Sequence, residues 1–233
     1  MRHKTEFGIR FDQLQASPEM EIYRNLQALS ASYRVFAGNY NELIHYLEHL
    51  KNPRESLSLY NNIDKQKEVN LLIDETSRLF HNFIASAKTL VDHTRVIVKR
   101  LYSNQEFIKE YQAKIDQDIA NNDIQKFVQY LRNYTQHYTL PIPALQIAFA
   151  EDIEMSMRLD VNILKQWGEW GRSRSYLETL GDNLCLISLS NEYFTLIKKF
   201  YEWLTERQTQ LHKSDLENLK KMNDELTTRK DYH

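Results

Sequence analysis

Three residues within the stretch YLRNYTQHYTLPI, residues 130–142, have the types and spacing for phosphodiester chemistry: Arg132, Asn133 and His137. Cutting such a bond without a metal needs a hydroxyl nucleophile, proton transfer on both sides and charge stabilisation on the phosphorane. An imidazole titrates close to neutral pH, so His137 could act as general acid or base. A guanidinium is permanently charged and its fork matches phosphate oxygens, the role open to Arg132. Asn133 stands one helical turn before His137, where its amide could fix the imidazole tautomer or hold a sugar-phosphate backbone.

Spacing alone carries little weight. Fourteen arginines and eight histidines in 233 residues give about half an Arg-x4-His match by chance. Arg207 and His212, in RQTQLH, make a second match without the Asn and within a highly charged segment. The first match has the fuller context LRNYTQHYTLP. That string resembles the LRN-x-x-x-H-x-x-LP signature of the HEPN superfamily, and the preceding HNFIASAKTLVDHTR (81–95) is similar to the same proteins. The resemblance spans residues 65–142 best. It implies an up-and-down core of four or five helices, usually dimeric, with two motif helices facing each other across a two-fold axis. It also implies metal-free RNA cleavage, with Arg132, Asn133 and His137 as catalytic residues. The match does not extend to the Tyr that some members carry two residues after the His as a modification target. Thr139 stands there, and Tyr138 is one place early.

A helix through this stretch puts Arg132 and His137 about 140° apart on the wheel. Both fall on a polar side with Gln129, Asn133 and Gln136, opposite Ile124, Phe127, Val128, Leu131, Tyr134 and Tyr138. One Arg–His pair is too sparse to clamp a phosphate and move protons at both oxygens. A homodimer would supply two of each. On the helix expected at 66–102, Glu75, Asn82, Ser86, Thr89, His93 and Arg100 share a sector of roughly 60°. This mostly uncharged polar stripe separates an apolar face from a charged one bearing Lys88, Asp92, Arg95 and Lys99. Lining the cleft, Asn82, Ser86, His93 and Gln136 would contact substrate or orient His137. Alternatively, the stripe is a boundary satisfied by neighbouring helices.

Other constellations point less far. His45, Glu48 and His49 spell H-x-x-E-H, a zinc-protease string. Those enzymes are larger and contain sheets, so a solvated helix face is expected here. Glu151, Asp152 and Glu154 fall at an expected hairpin turn, where acids are ordinary. Trp167, Trp170 and Trp203 could stack bases, although core packing is the commoner use. Neither a P-loop nor a dinucleotide glycine pattern occurs.

The elements that must position these groups are mostly helices. Only five Gly and four Pro disfavour sandwiches, barrels and Rossmann folds. Apolar spacing predicts helices over 18–51, with a possible break at Gly38, and over 66–102, 104–119 and 185–212. A motif helix capped by Asn122 or Asp123 ends at Leu140-Pro141, and a charged helix covers 214–229. Residues 144–161 alternate in period two on either side of Glu151-Asp152 and predict a β-hairpin. Short helices follow around 162–181, anchored by Trp167 and Trp170.

The expected fold class is therefore mainly α: a HEPN-like up-and-down helical bundle, a small β-hairpin insert and additional C-terminal helices. A single domain is expected, with its core at about 18–142. A lone Cys185 and a formal net charge of −2 exclude a disulfide framework and a broadly basic nucleic-acid surface. No signal-like or membrane-spanning run is seen, so a cytoplasmic protein is expected. The function expected from the resemblance is a metal-independent endoribonuclease, toxin or phage-defence related, acting on RNA as a homodimer. An antitoxin or defence-system partner fits that setting, and neither cofactor nor metal is called for. The alternatives are a non-catalytic RNA- or nucleotide-binding module and a helical interaction protein.

Overall fold

The computed structural model describes residues 5–50, 66–103, 105–149 and 153–228. The fold is mainly α with a small antiparallel sheet. Helix α1 (Glu6–Gln15) leads through Ser17 and Pro18 into α2 (Pro18–His49). Ser17 caps α2, its hydroxyl accepting from the Met20 amide at 3.1 Å, and Pro18 occupies the first turn where no amide is missed. Leu29, Phe36 and Leu43, seven residues apart, make the buried seam of α2, and the helix runs unbroken through Gly38. One exposed glycine costs about 1 kcal/mol, too little to interrupt so long a seam.

Helix α3 (Gln66–Tyr102) lies antiparallel to α2. Arg78 meets Glu42, His93 meets Ser32 and Arg100 meets Asn25, partner numbers falling as α3 rises. Helix α4 (Phe107–Ile115) passes into one π turn (Asp116–Ala120). The motif helix is α5 (Asp123–His137), with Asn122 as its cap, accepting from the Gln125 amide at 3.1 Å.

The hairpin is present as β1 (Ala144–Phe149) and β2 (Ile153–Asp160), with Leu145 opposite Met157 and Ile147 opposite Met155. Met155, Met157 and Leu159 point into the core, as alternation requires. Residues 150–152, where the turn was expected, lie outside the described residues. A third strand, β3 (Asn183–Cys185), pairs antiparallel with β2. Between them come α6 (Val161–Lys165), a 3-10 turn (Gly171–Ser173) and α7 (Arg174–Thr179). Helix α8 (Leu186–Leu211) and α9 (Lys213–Thr228) complete the chain.

One continuous apolar core joins α2, α3, α5, the sheet and α8. At its centre Phe36 stacks on Phe83 at 5.4 Å and meets Tyr193 edge-on at 6.1 Å. Such pairs add about 0.5–1.5 kcal/mol beyond the area they bury. The C-terminal α8 is thus part of the core that holds α5. The polar α9 docks on α1 and α2 through a smaller cluster of Leu219, Leu226, Leu14, Met20 and Met222. Among the described residues, no helix is long and apolar enough to cross a membrane.

Candidate functional site

Helix α5 is held by one face. Ile124, Phe127, Val128, Leu131 and Tyr134 are buried. Phe127 and Tyr134 both stack on Trp170, at 5.4 and 5.8 Å. Trp170 is itself fixed by its indole N–H, which donates to the Leu164 carbonyl at 2.7 Å. The tryptophans therefore act as packing anchors under the motif. Tyr138, at the end of that face, is a non-helical cap with 55% of its surface exposed, and its ring still meets those of Tyr134 and Trp167 at 5.2 and 6.4 Å. The amides of Tyr138 and Thr139 both bond back to the Tyr134 carbonyl, at 3.0 and 3.1 Å, closing the helix before Pro141.

On the other face, Arg132 and Asn133 are half-buried, while Gln136 and His137 are exposed. Arg132 Nη1 donates to the Asn133 side-chain oxygen at 3.2 Å. Among the described residues, Arg132 meets no carboxylate at ion-pair distance, and the His137 ring makes no hydrogen bond. The side chain is exposed at the C-terminal end of α5. Asn133 is thus engaged with Arg132 and not with the imidazole.

The second Arg-x4-His pair is consumed by structure. Arg207 binds Glu110 through two nitrogens, at 2.7 and 2.9 Å. Buried His212 bridges Asp215 at 2.8 Å and the Tyr102 hydroxyl at 3.0 Å. Burial pushes the Tyr102 hydroxyl up to about 12, so it is a neutral partner at physiological pH. Same spacing, different fate.

The polar stripe on α3 does not join α5. His93 Nδ1 hydrogen-bonds Ser32 at 2.7 Å, and Arg100 donates to the Asn25 side chain at 3.1 Å, both on α2. Ser86 is buried and donates to the Phe83 carbonyl at 2.8 Å. Glu75 is bound by Arg78, which also reaches Glu42 on α2. The stripe is a boundary met partly by α2, through His93 and Arg100, and partly within α3 itself, with Asn82 half-buried along it.

The α3 residues beside α5 are instead Ile84, Lys88, Val91 and Arg95, facing Gln125, Val128, Gln129 and Arg132 across a recess of about 30 Å3. Two buried polar atoms in this wall, Arg132 Nε and Gln125 Oε1, have no hydrogen-bond partner among the described residues. The helix wheel groups Lys88 and Arg95 with Asp92 and Lys99 on a charged face, and the structure sets the two beside α5. The signal that places them at a helix interface is Val91, an apolar residue three after one and four before the other.

The rings of His45 and His49 lie 5.1 Å apart, tilted by 56°, on an exposed stretch of α2. Among the described residues no three His, Cys, Asp or Glu side chains gather to hold a metal ion, so the H-x-x-E-H string finds no third ligand there. The side chains of Glu151, Asp152 and Glu154 lie outside the described residues. Three further strands of comparison give nothing to set beside this geometry: no family model, no curated protein and no solved structure matches the chain.

Proposed function

We propose that the chain is a HEPN-type endoribonuclease that cleaves RNA without a metal, with Arg132, Asn133 and His137 as its catalytic residues. The observation that carries this reading is the contrast between the two Arg-x4-His pairs. Among the described residues Arg132 bonds Asn133 and meets no carboxylate, and exposed His137 makes no hydrogen bond, whereas Arg207 and His212 are spent on structural partners. In the proposed reaction a 2′-hydroxyl of RNA attacks the adjacent phosphate. His137 moves the proton, Arg132 stabilises the phosphorane charge, and Asn133 orients the Arg132 guanidinium. The 2′,3′-cyclic phosphate forms as the P–O5′ bond breaks, and the leaving 5′-oxygen takes a proton.

A single copy offers one imidazole for two proton transfers, so the proposal includes a homodimer with the second His137 supplying the other. The surface beside the motif suits that contact. Leu140, Ile142 and Ile163 line one shallow cavity of about 200 Å3, and Ile142 is 70% exposed. These apolar residues begin three positions after His137. A toxin or phage-defence setting, with an antitoxin or defence partner, belongs to the same proposal.

The test is incubation of purified protein with RNA in EDTA, followed by analysis of the new ends. Cyclic phosphate termini that vanish in His137→Ala support the enzyme. RNA binding that survives His137→Ala, is lost in Arg132→Ala and never leads to cleavage would replace it with a non-catalytic RNA-binding module.

A further inference from the structure

A second concavity lies away from the His137 end of α5. It opens between α3, α4 with its π turn, α5 and α8, and has a volume of about 340 Å3. Small-ligand sites typically run from roughly 300 to 1,000 Å3. Its floor is aromatic and aliphatic, with Tyr111 edge-on to Phe200 at 6.0 Å. Tyr201 is tied to Thr94 there by a hydrogen bond between their hydroxyls. Its rim carries Arg95 and Lys126 with the amides of Gln125 and Gln129.

Among the described residues no Asp or Glu lines the cleft, and the nearby Asp116 accepts from the lining Gln112 at 2.9 Å. Lys88 and Arg95 share the single carboxylate of Asp92, and Lys126 meets Asp123 at 3.2 Å. Arg132 adds a fourth cation in the adjoining recess, whose wall shares Arg95, Gln125 and Gln129 with the larger cavity. Gln125 Oε1 and Arg132 Nε are buried in that recess without hydrogen-bond partners among the described residues. The field of Arg95 also reaches the floor: burial raises the Tyr111 and Tyr201 hydroxyls, and the Arg95 charge acts against that rise.

We propose that this cleft binds a small organic phosphate, its phosphate held by Arg95 and Lys126 and its flat apolar body laid over Tyr111 and Phe200. A dianionic head fits the surplus of cations better than a carboxylate, and the aromatic floor excludes a bare inorganic ion. The proposed contacts, Arg95, Lys126, Tyr111 and Phe200, are separate from the catalytic residues of the ribonuclease reading, of which Arg132 lines only the adjoining recess and His137 lines neither cavity.

Titration calorimetry of the full chain tests it, with AMP and 1-naphthyl phosphate as probes beside adenosine, 1-naphthol and inorganic phosphate. At least one organic phosphate should bind, and its dephosphorylated parent and inorganic phosphate should bind about tenfold more weakly or worse. Arg95→Gln, at an exposed side chain, should weaken binding by about tenfold, and His137→Ala should leave it unchanged. A 5′-phosphorylated trinucleotide that displaces the bound probe would identify a strand end as the source. Failure to displace would identify a free metabolite, and both support the site. No binding by either organic phosphate, or equal affinity in Arg95→Gln, overturns it. So does a dicarboxylate such as succinate binding as tightly as the phosphates.

Discussion

Arg132 and its chain neighbour Asn133 are joined by a 3.2 Å hydrogen bond from guanidinium to amide oxygen, while Arg207 gives its guanidinium to Glu110 from another helix. The first contact leaves the positive charge available to a ligand. The second neutralises it. Two identical spacings are therefore told apart by their partners.

If His212 is structural, replacing it should cost stability and nothing else. His212→Ala leaves buried Tyr102 and half-exposed Asp215 without their partner, a loss of about 1–3 kcal/mol. Thermal unfolding should fall by about 2–4 °C for each kcal/mol in a chain of this size. RNA cleavage per folded molecule should stay at the wild-type rate.

The Glu110–Arg207 pair has a pH signature. Hydrogen bonds from Arg207 hold the Glu110 carboxyl below its usual 4.5. A carboxyl with a depressed native pKa stabilises the fold above its unfolded value and stops doing so as pH falls through the native one. The difference in denaturant midpoint between wild type and Glu110→Gln should thus be present at neutral pH and close below pH 4.5. A difference independent of pH would contradict the assignment.

Much of this architecture is legible in the residues. The seven-residue spacing of Leu29, Phe36 and Leu43 reads as a helix, and the alternation of Met155, Met157 and Leu159 reads as a strand. Strand β3 does not, because three residues are too few to show a period and its pairing with β2 is a tertiary event. The α3 stripe was a real sector of one helix face, but the wheel cannot say which neighbour covers it. Two antiparallel contacts with α2, at Ser32 and Asn25, decide that. Tyr138 keeps its contacts with Tyr134 and Trp167 but is half-exposed for a local reason, since the helix ends before Leu140-Pro141.

Gly171 is tied to Tyr130 on the motif helix. It has a φ of 47°, and a Cβ there would lie 2.6 Å from the Tyr130 Cζ. Gly171→Ala should lose about 1–2 kcal/mol from the left-handed backbone alone, and more from displacing the ring. In Gly171→Ala/Tyr130→Ala the combined loss should be smaller than the sum of the single losses. Strict additivity in a denaturation cycle would show that the ring does not confine position 171.

The proposed dimer surface makes its own prediction. Ile142→Glu places a charge on an exposed side chain, so the fold should keep its stability within about 0.5 kcal/mol. Sedimentation should show dimers in wild type and monomers in the variant, with RNA cleavage lost alongside. A fully active monomer would remove the second copy from the mechanism.

The most direct measurement is the rate of RNA cleavage in EDTA by wild type, His137→Ala and His212→Ala, each checked for folding by thermal melting. The account predicts 2′,3′-cyclic phosphate ends from wild type, a loss of about 100-fold or more in His137→Ala at unchanged melting temperature, and wild-type cleavage per folded molecule in His212→Ala. Equal cleavage by wild type and His137→Ala would contradict it.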